Sequence, residues 1–242
     1  MESQIREYVD AMAAQRATIT RERAGDTGAI RLKKRLVRSS ALRYRVRLWL
    51  THLLAPYSRR RARAIAARAN PLRLNLGSYV QRKPQFVSID LAGIPVDLAW
   101  DIVRPLPFSS GSVDAICHDH TLEHLSIADG LAMTRDCFRV LRPGGRIRIS
   151  VPDAEAVVRD YVAKRTFVAP TPLLELQRLF YEWGHHTMYD RETLSMLLSE
   201  CGFVEVEVCG FQESAIEPCP DVAFRIGTLY VEASKPEAGG IT

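Results

Sequence analysis

The stretch LNLGSYVQRKPQFVSID, residues Leu74 to Asp90, is the part of the chain that decides the fold. It begins as a short apolar segment that runs into Gly77 and ends as a second apolar segment that runs into Asp90. A strand ending in glycine, followed by a strand ending in an acid, is typical of the start of a nucleotide-binding βαβ unit. Tyr79 stands where such a unit usually has a second glycine, so a cofactor site here has an altered edge.

The connection between these two predicted strands is too short for an ordinary crossover helix. Twelve residues lie between Gly77 and Asp90, and Pro84 is one of them. Because a crossover helix needs more chain, we expect a loop or a single turn there. Such a connection lacks the helix N-terminus that cradles a pyrophosphate. This argues against NAD or FAD and favours a cofactor without phosphates.

After Asp90, short apolar segments alternate with segments of helical periodicity. We predict strands at 72–76, 86–89, 96–100, 113–117, 146–151, 204–208 and 228–233. We predict helices at 128–141, 154–164, 172–183 and 191–201. This alternation predicts an α/β fold, namely a Rossmann-like doubly wound sheet that is mostly parallel and has an antiparallel final strand.

Acidic residues follow the second and third predicted strands. Asp90 suits a carboxylate that accepts the two hydroxyls of a ribose, and Asp101, beside the apolar Ile102, suits an adenine. Each of them alone is also a common turn residue. Together with Gly77 they stand at the carboxyl ends of three successive strands, and a line of such residues along one sheet edge is more specific than any single one.

Several motifs resemble one known family. The segments LNLGS, VSIDL, LPF, VDAI, LEHL and RVLRPGG, and then GHHTMYD, occur in the order and spacing of class I S-adenosylmethionine-dependent methyltransferases. The chain most resembles their type 11 group, which is often met among bacterial polysaccharide genes. The resemblance covers residues 72–233. It implies a methyltransferase that uses S-adenosyl-L-methionine.

The resemblance also implies a set of cofactor contacts. Gly77 would face the cofactor, Asp90 the ribose and Asp101 with Ile102 the adenine, and the residues after the fourth strand would lie near the methionine end. Tyr79 replaces the family's usual glycine and either covers the cofactor or fills the pocket, and the two retained acids favour a working site. The predicted contact residues are Gly77, Ser78, Tyr79, Asp90, Leu91, Asp101, Ile102, His118 and Asp119.

His120 is a candidate general base, because imidazole titrates near neutral pH and methylation of a hydroxyl requires removal of its proton. His185, in the segment before a predicted helix, is the rival candidate. The spacing of His118, His120 and His124 also suits a metal such as Zn²⁺ or Mn²⁺. The resembled family carries the same L-E-H turn as a structural feature, so we expect no metal.

The expected reaction is O-methylation of a glycan or a lipid-linked saccharide. The expected partner is this glycan or another small-molecule acceptor. Two alternatives stay open: a non-catalytic methyltransferase-like module that binds a partner or a membrane, and an RNA methyltransferase. No D/N-P-P-[YF] motif follows the fourth predicted strand. Nucleic acid is therefore the less favoured partner.

The N-terminal residues differ from the rest in charge. Residues 1–70 hold 17 of the 33 Lys and Arg and five of the 28 Asp and Glu. We predict a basic helical extension at 1–70 on a class I methyltransferase domain at 71–242. Residues 30–68 suit peripheral contact with an anionic membrane, and equally a solvated helix docked on the domain. Because the N-terminus has no signal-peptide layout, we predict a cytoplasmic protein, in contact with the inner membrane face if the extension binds lipid.

Overall fold

The computed structural model describes residues 40–238, and the part of the predicted extension at 1–39 lies outside them. Seven strands form one sheet with the order β3-β2-β1-β4-β5-β7-β6 in the described chain. The strands are β1 (Arg73–Leu76), β2 (Val87–Asp90), β3 (Leu98–Ala99), β4 (Val113–Asp119), β5 (Leu141–Pro152), β6 (Val204–Cys209) and β7 (Thr228–Ser234).

The helices flank this sheet. They are α1 (Ser40–Leu53), α2 (Ala55–Ala66), α3 (Ile127–Val140), α4 (Ala154–Val162), α5 (Pro172–Tyr181) and α6 (Arg191–Glu200), with a 3₁₀ turn at Leu122–His124. Asp153, Thr171 and Asp190 each cap the helix that follows by accepting a backbone N–H. These caps explain why the helices begin where the sequence pattern predicts them.

The strand directions confirm the predicted Rossmann-like sheet. β1 pairs in parallel with β2 and β4, and β4 pairs in parallel with β5. β7, the final strand, runs antiparallel to both of its neighbours. The carboxyl ends of β1, β2 and β4 therefore lie along one edge of the sheet, which is where a doubly wound fold binds its ligand.

Three connections decide the shape of this edge. The chain between Gly77 and Phe86 forms turns and no helix, as predicted. β3 is shorter than predicted, with only Leu98 and Ala99 paired, because it lies at the outer border of the sheet beside β2 alone. β5 is longer than predicted, because Leu141 already pairs with Val113 and a register shift follows, where Gly144 has φ +69°.

The two faces of the sheet are covered differently. One face carries the main core, which includes Leu74, Leu76 and Ile116 with side chains of α3 and α6. On the other face Ala115 and Cys117 pack with Phe86 and Ile216. Ile216 belongs to the segment 210–226, which follows β6 and covers this face where a doubly wound fold would often place a helix.

The segment 210–226 is fastened to the sheet by one buried arginine. Arg148 of β5, 2% exposed, donates to the carboxylates of Asp221 and Glu232 and to the carbonyl oxygens of Gly210 and Glu213. These bonds raise the pKa of the guanidinium above its already high value in spite of its burial. The arginine is thus fully charged and fully partnered, which a buried charge requires.

The two N-terminal helices pack against the same core as the sheet. Ala55 and Ala62 of α2 are buried in the main core cluster. Thr51 of α1 is also buried, and its hydroxyl accepts the N–H of Ala92. The boundary at residue 70 stays a prediction. Of the helices between residues 40 and 238, none has the length and hydropathy to cross a bilayer.

Candidate active site

The centre of the site is the turn that follows β1. Gly77 has φ +62°, a conformation that favours glycine, and a Cβ placed there would collide with the side chain of Thr121. Ser78 follows it, 5% exposed, and its hydroxyl has no hydrogen-bond partner in the described chain. The glycine is therefore required by its neighbour Thr121, and it leaves the backbone open at the edge of the sheet.

Tyr79 adopts the backbone conformation that a glycine would take. Its φ is +45°, which costs a residue with a side chain on the order of 1–3 kcal/mol. The strained turn aims the Tyr79 N–H at the carboxylate of Asp90, 2.9 Å away at Oδ2. His120, directly after β4, also has a left-handed φ, of +48°. Two of the six non-glycine residues with positive φ in the described chain thus border the same edge, and such strain is often found at functional sites.

The carboxylate of Asp90 lies at the edge and is oriented by the backbone. Besides the Tyr79 N–H it accepts the N–H of Leu91, at 2.6 Å. Its remaining partner is Arg47 of α1, whose Nη2 lies 2.9 Å from Oδ1. Arg47 also donates to the carbonyl oxygens of Leu91 and Ala92. One arginine of the N-terminal helix therefore binds the whole turn that follows β2.

Asp101 is held in the same way by the same helix. Its Oδ2 lies 2.9 Å from Nε2 of His52, and its Oδ1 accepts the N–H of Val103. The Asp90 and Asp101 side chains are 16% and 15% exposed. Ile102, beside Asp101, packs against the main core. Both acids predicted to bind the nucleoside thus stand at the edge, and each meets a basic side chain of α1.

The two residues predicted near the methionine end differ in environment. His118 faces the main core, 1% exposed, and neither ring nitrogen has a partner in the described chain. Burial lowers its pKa to about 4, so the ring is neutral at neutral pH. Asp119 points to the opposite face, accepts the hydroxyl of Ser150 and lies 3.6 Å from Nη1 of Arg225. Asp119 therefore joins the edge to the segment 210–226.

Both candidate bases lie close to the buried carboxylate of Glu123. Nδ1 of His120 lies 3.0 Å from Oε1 of Glu123, at ion-pair distance although outside hydrogen-bond geometry, and its Nε2 lies 3.1 Å from the Thr228 hydroxyl. His185 Nε2 is 3.9 Å from the same Oε1. Burial lowers the pKa of His185 to about 4. His185 is therefore a weaker proton acceptor than an ordinary histidine.

The same carboxylate is part of the one set of side chains that approaches a metal site among residues 40–238. The ligand atoms of Glu123, His124 and His185 lie within 4.8 Å of one another. Ligand atoms around a tetrahedral zinc are separated by about 3.4 Å, as Zn–N bonds of about 2.0–2.1 Å require. The three groups are close together without forming a closed coordination shell, and the expectation of no metal stays a prediction.

The residues at the edge fit an adenosyl cofactor. Two acids can accept the ribose and the adenine amino group, the unpartnered Ser78 hydroxyl and the open Gly77 backbone lie beside them, and no phosphate-binding helix N-terminus follows β1. The fit requires that Arg47 and His52 share or release the acids. In this arrangement the cofactor and α1 need the same carboxylates.

Sequence reasoning did not single out Arg47, Thr51, His52, Thr121 or Arg225. Arg47 is 43 residues from Asp90 along the chain and His52 is 49 residues from Asp101. The only signal was the excess of basic residues in the extension, which does not tell one arginine from another. The roles of Arg47, Thr51 and His52 depend on how α1 packs on the sheet edge.

Residues 74–149 match the family model described as a methyltransferase domain. An uncharacterized 37.1 kDa protein in transposon TN4556 of Streptomyces fradiae is 35% identical over 66 residues, which are 27% of this chain and 19% of that protein. The match thus spans about a fifth of the length of this curated relative.

Solved structures of methyltransferases are similar in outline. A SAM-dependent methyltransferase of Archaeoglobus fulgidus is 15% identical with a TM-score of 0.46, over 84% of this chain and 98% of that one. One from Thermotoga maritima is 17% identical with a TM-score of 0.45, over 76% and 97%. Haemonchus contortus phosphoethanolamine N-methyltransferase 2, in complex with S-adenosylhomocysteine, is 11% identical with a TM-score of 0.45, over 68% and 49%.

Proposed function

We propose that this chain, which contains a Rossmann-like methyltransferase domain of the S-adenosylmethionine-dependent class, O-methylates a glycan or a lipid-linked saccharide. The observation that carries the proposal is the pair of acids, Asp90 at the end of β2 and Asp101 after the adjacent β3, which lie inside the matched residues 74–149. They stand where a phosphate-free nucleoside needs acceptors. When bound, S-adenosylmethionine supplies an electrophilic methyl group on its sulfonium.

The residues of the chain bind the cofactor, align it with the acceptor and remove a proton from the acceptor. Asp90 and Asp101 orient the nucleoside, and the turn at Gly77 and Ser78 admits it to the edge of the sheet. Holding donor and acceptor in line contributes most of the acceleration for such a reactive electrophile. The remaining task is the removal of the proton from a sugar hydroxyl, which is too weakly acidic to react unaided.

His120 is the side chain proposed for that proton transfer. The Glu123 carboxylate beside Nδ1 favours the tautomer with hydrogen on Nδ1, so that Nε2, which lies 3.1 Å from the Thr228 hydroxyl, is the proton-accepting nitrogen. The ring is 19% exposed, so a substrate can reach it. His185, with its low pKa and deeper position, suits a supporting place behind Glu123.

The N-terminal helices bear on the class of acceptor. A saccharide carried on a lipid would bring hydroxyl groups to a protein whose N-terminal helices are rich in arginine and exposed apolar side chains. The resemblance to methyltransferases of polysaccharide genes points to the same class of acceptor.

One observation favours the non-catalytic alternative. Arg47 and His52 occupy the two acids that the cofactor needs, as in a module that has lost its ligand. Calorimetric titration of the full chain with S-adenosylhomocysteine distinguishes the two functions. Binding supports the enzyme, whereas the absence of both heat and thermal shift at millimolar ligand, in the wild type and in Arg47→Ala, rejects it.

The reaction itself is tested by transfer of labelled methyl groups. The chain is incubated with methyl-labelled S-adenosylmethionine and a fractionated cell extract, and we expect label in the glycan or glycolipid fraction. His120→Asn keeps a polar side chain that tolerates φ +48°, and it should lower that transfer by about 10²-fold or more while S-adenosylhomocysteine still binds. Label in RNA alone would reject the saccharide acceptor, and unchanged transfer by His120→Asn would reject the base.

A further inference from the structure

The helices α1 and α2 have an inner face that packs on the domain. Thr51, Ala55, Ser58 and Ala62 recur at spacings of three and four residues, and all four are buried. Arg47 precedes them on the same stripe, with 27% of its side chain exposed, and binds Asp90. This face therefore ends at the edge of the sheet where the cofactor acids lie.

The opposite face is apolar and exposed. Val46, Trp49, Leu53 and Tyr57 also recur at spacings of three and four residues, and they are 44%, 63%, 61% and 60% exposed. A helix docked on a soluble domain normally turns its polar side chains outward. An outward stripe that contains a tryptophan and a tyrosine marks a surface that another phase or molecule covers.

The charge around this stripe identifies what covers it. Between residues 40 and 70 the sequence has no Asp and no Glu. Exposed arginines border the stripe, among them Arg45, Arg60 and Arg63. Trp and Leu at the acyl boundary with arginines at the headgroups are the arrangement of an interfacial helix on an anionic bilayer. A protein partner would need an acidic apolar surface to match, whereas an anionic lipid surface offers both properties at once.

The two faces are connected through Arg47 and His52. His52 is 41% exposed at its side chain, so it can turn from Asp101 to a lipid phosphate. Arg47 lies on the inner face with 27% of its side chain exposed, and it would leave Asp90 when the docked helix shifts toward the bilayer. The helix has two states, with these side chains bound to the acids or released from them. If the bilayer binds the released state more tightly, it shifts the helix toward release. The acids are then free for the cofactor.

We infer that the outer stripe of α1 and α2 docks on an anionic phospholipid bilayer and that docking promotes cofactor binding, because lipid phosphates draw His52 from Asp101 and the shift of the docked helix draws Arg47 from Asp90. The second half of this inference rests on the proposed function, since it needs the acids to bind the cofactor. By linkage, cofactor and bilayer then strengthen each other's binding by the same factor.

Docking is tested by sedimentation of the full chain with vesicles. We expect it to bind vesicles of phosphatidylcholine mixed with phosphatidylglycerol, to bind phosphatidylcholine alone much more weakly, and to be released by salt. The variant Trp49→Ser/Leu53→Ser should lose vesicle binding. The control variant Val162→Ser should keep it, because it removes an apolar side chain on α4 that is 72% exposed and lies outside the stripe. Equal binding by the two variants overturns the docking surface. The docking surface is also overturned if the wild type binds no lipid and forms a dimer that becomes monomeric in the double variant.

Coupling is tested by titration with S-adenosylhomocysteine in the presence and absence of the anionic vesicles. We expect the Kd to fall about five-fold or more with vesicles. Arg47→Ala should lower it without vesicles, whereas Arg45→Ala, an exposed arginine on the same helix, should leave it unchanged. An equal Kd with and without vesicles overturns the coupling. Failure of every form to bind S-adenosylhomocysteine rejects the proposed function instead, while sedimentation still decides whether the stripe docks.

Discussion

Replacement of Arg148 by alanine is the most demanding test of how the sheet edge is built. Arg148 is the side chain that fastens the segment 210–226 to β5, through the carboxylates of Asp221 and Glu232 and two carbonyl oxygens. The two carboxylates are 6% and 3% exposed at their side chains. Arg148→Ala removes their positive partner and leaves both charges in a place that water scarcely reaches.

The expected cost follows from that burial. Removal of one partner from a buried ion pair costs about 3–5 kcal/mol. Here two carboxylates lose their partner, but Gln212 still donates to Asp221, and Ser214 and Ala215 still donate to Glu232. We therefore expect about 3–4 kcal/mol. In a domain of this size that corresponds to a decrease in Tm of about 6–16 °C, because each kcal/mol shifts Tm by about 2–4 °C.

The measurement is urea unfolding followed by circular dichroism, with two further variants. Arg146→Ala, two residues earlier on the same strand, loses a pair with Glu205, which is 61% exposed, and should cost less than about 1 kcal/mol. Addition of Glu232→Gln to Arg148→Ala should restore part of the loss, because it removes one unpaired charge. The reasoning is refuted if Arg148→Ala and Arg146→Ala are equally stable, or if Glu232→Gln adds its own cost in full.

Three further predictions concern the residues along the edge. Gly77→Ala should lower the free energy of unfolding, measured with urea, by more than about 1 kcal/mol, because the new Cβ meets the Thr121 side chain. Thr121→Ala should reduce that loss in the double variant, because it removes the atoms that the Cβ meets. Equal losses in both backgrounds would contradict this packing. Tyr79→Gly should raise stability by up to about 1 kcal/mol, since glycine adopts φ +45° without strain, and a loss of stability on the same assay would show that the ring contributes more than the strain costs. The His118 pKa is about 4 in the folded protein against an ordinary 6.5, so the unfolded chain binds a proton between these values and the folded protein does not. Stability present above pH 6.5 should thus fall by up to about 3 kcal/mol as the pH approaches 4, and His118→Leu should remove that part of the pH dependence of the urea midpoint.

The sequence predicted those features that depend on local pattern. Strands whose apolar side chains alternate with turn residues, and helices with a capping residue, are recognisable because the information lies within about ten residues. The short connection after Gly77 is of the same kind, since twelve residues that include Pro84 cannot supply a helix and two turns. The Rossmann-like order of elements and the expectation of a cofactor without phosphates follow from these local signals.

The limits of β3 and β5 are less local. Leu98 and Ala99 alone pair in β3 because the strand has a neighbour on only one side, and β5 begins at Leu141 because β4 offers a partner there. A pattern of residues does not record which neighbour is present. The predicted ends were wrong for this reason, although the strands exist.

The amino-acid sequence by itself determined the sheet, its direction and the acids that end its strands, because each of these is set by residues close together in the chain. Only the tertiary structure decided that Arg47 and His52 stand on those acids, that Thr121 requires the glycine at 77, and that an apolar stripe of α1 and α2 faces outward. These contacts join residues more than 40 positions apart. The energy of such a contact depends on how a helix packs on the sheet, and no local pattern specifies that packing.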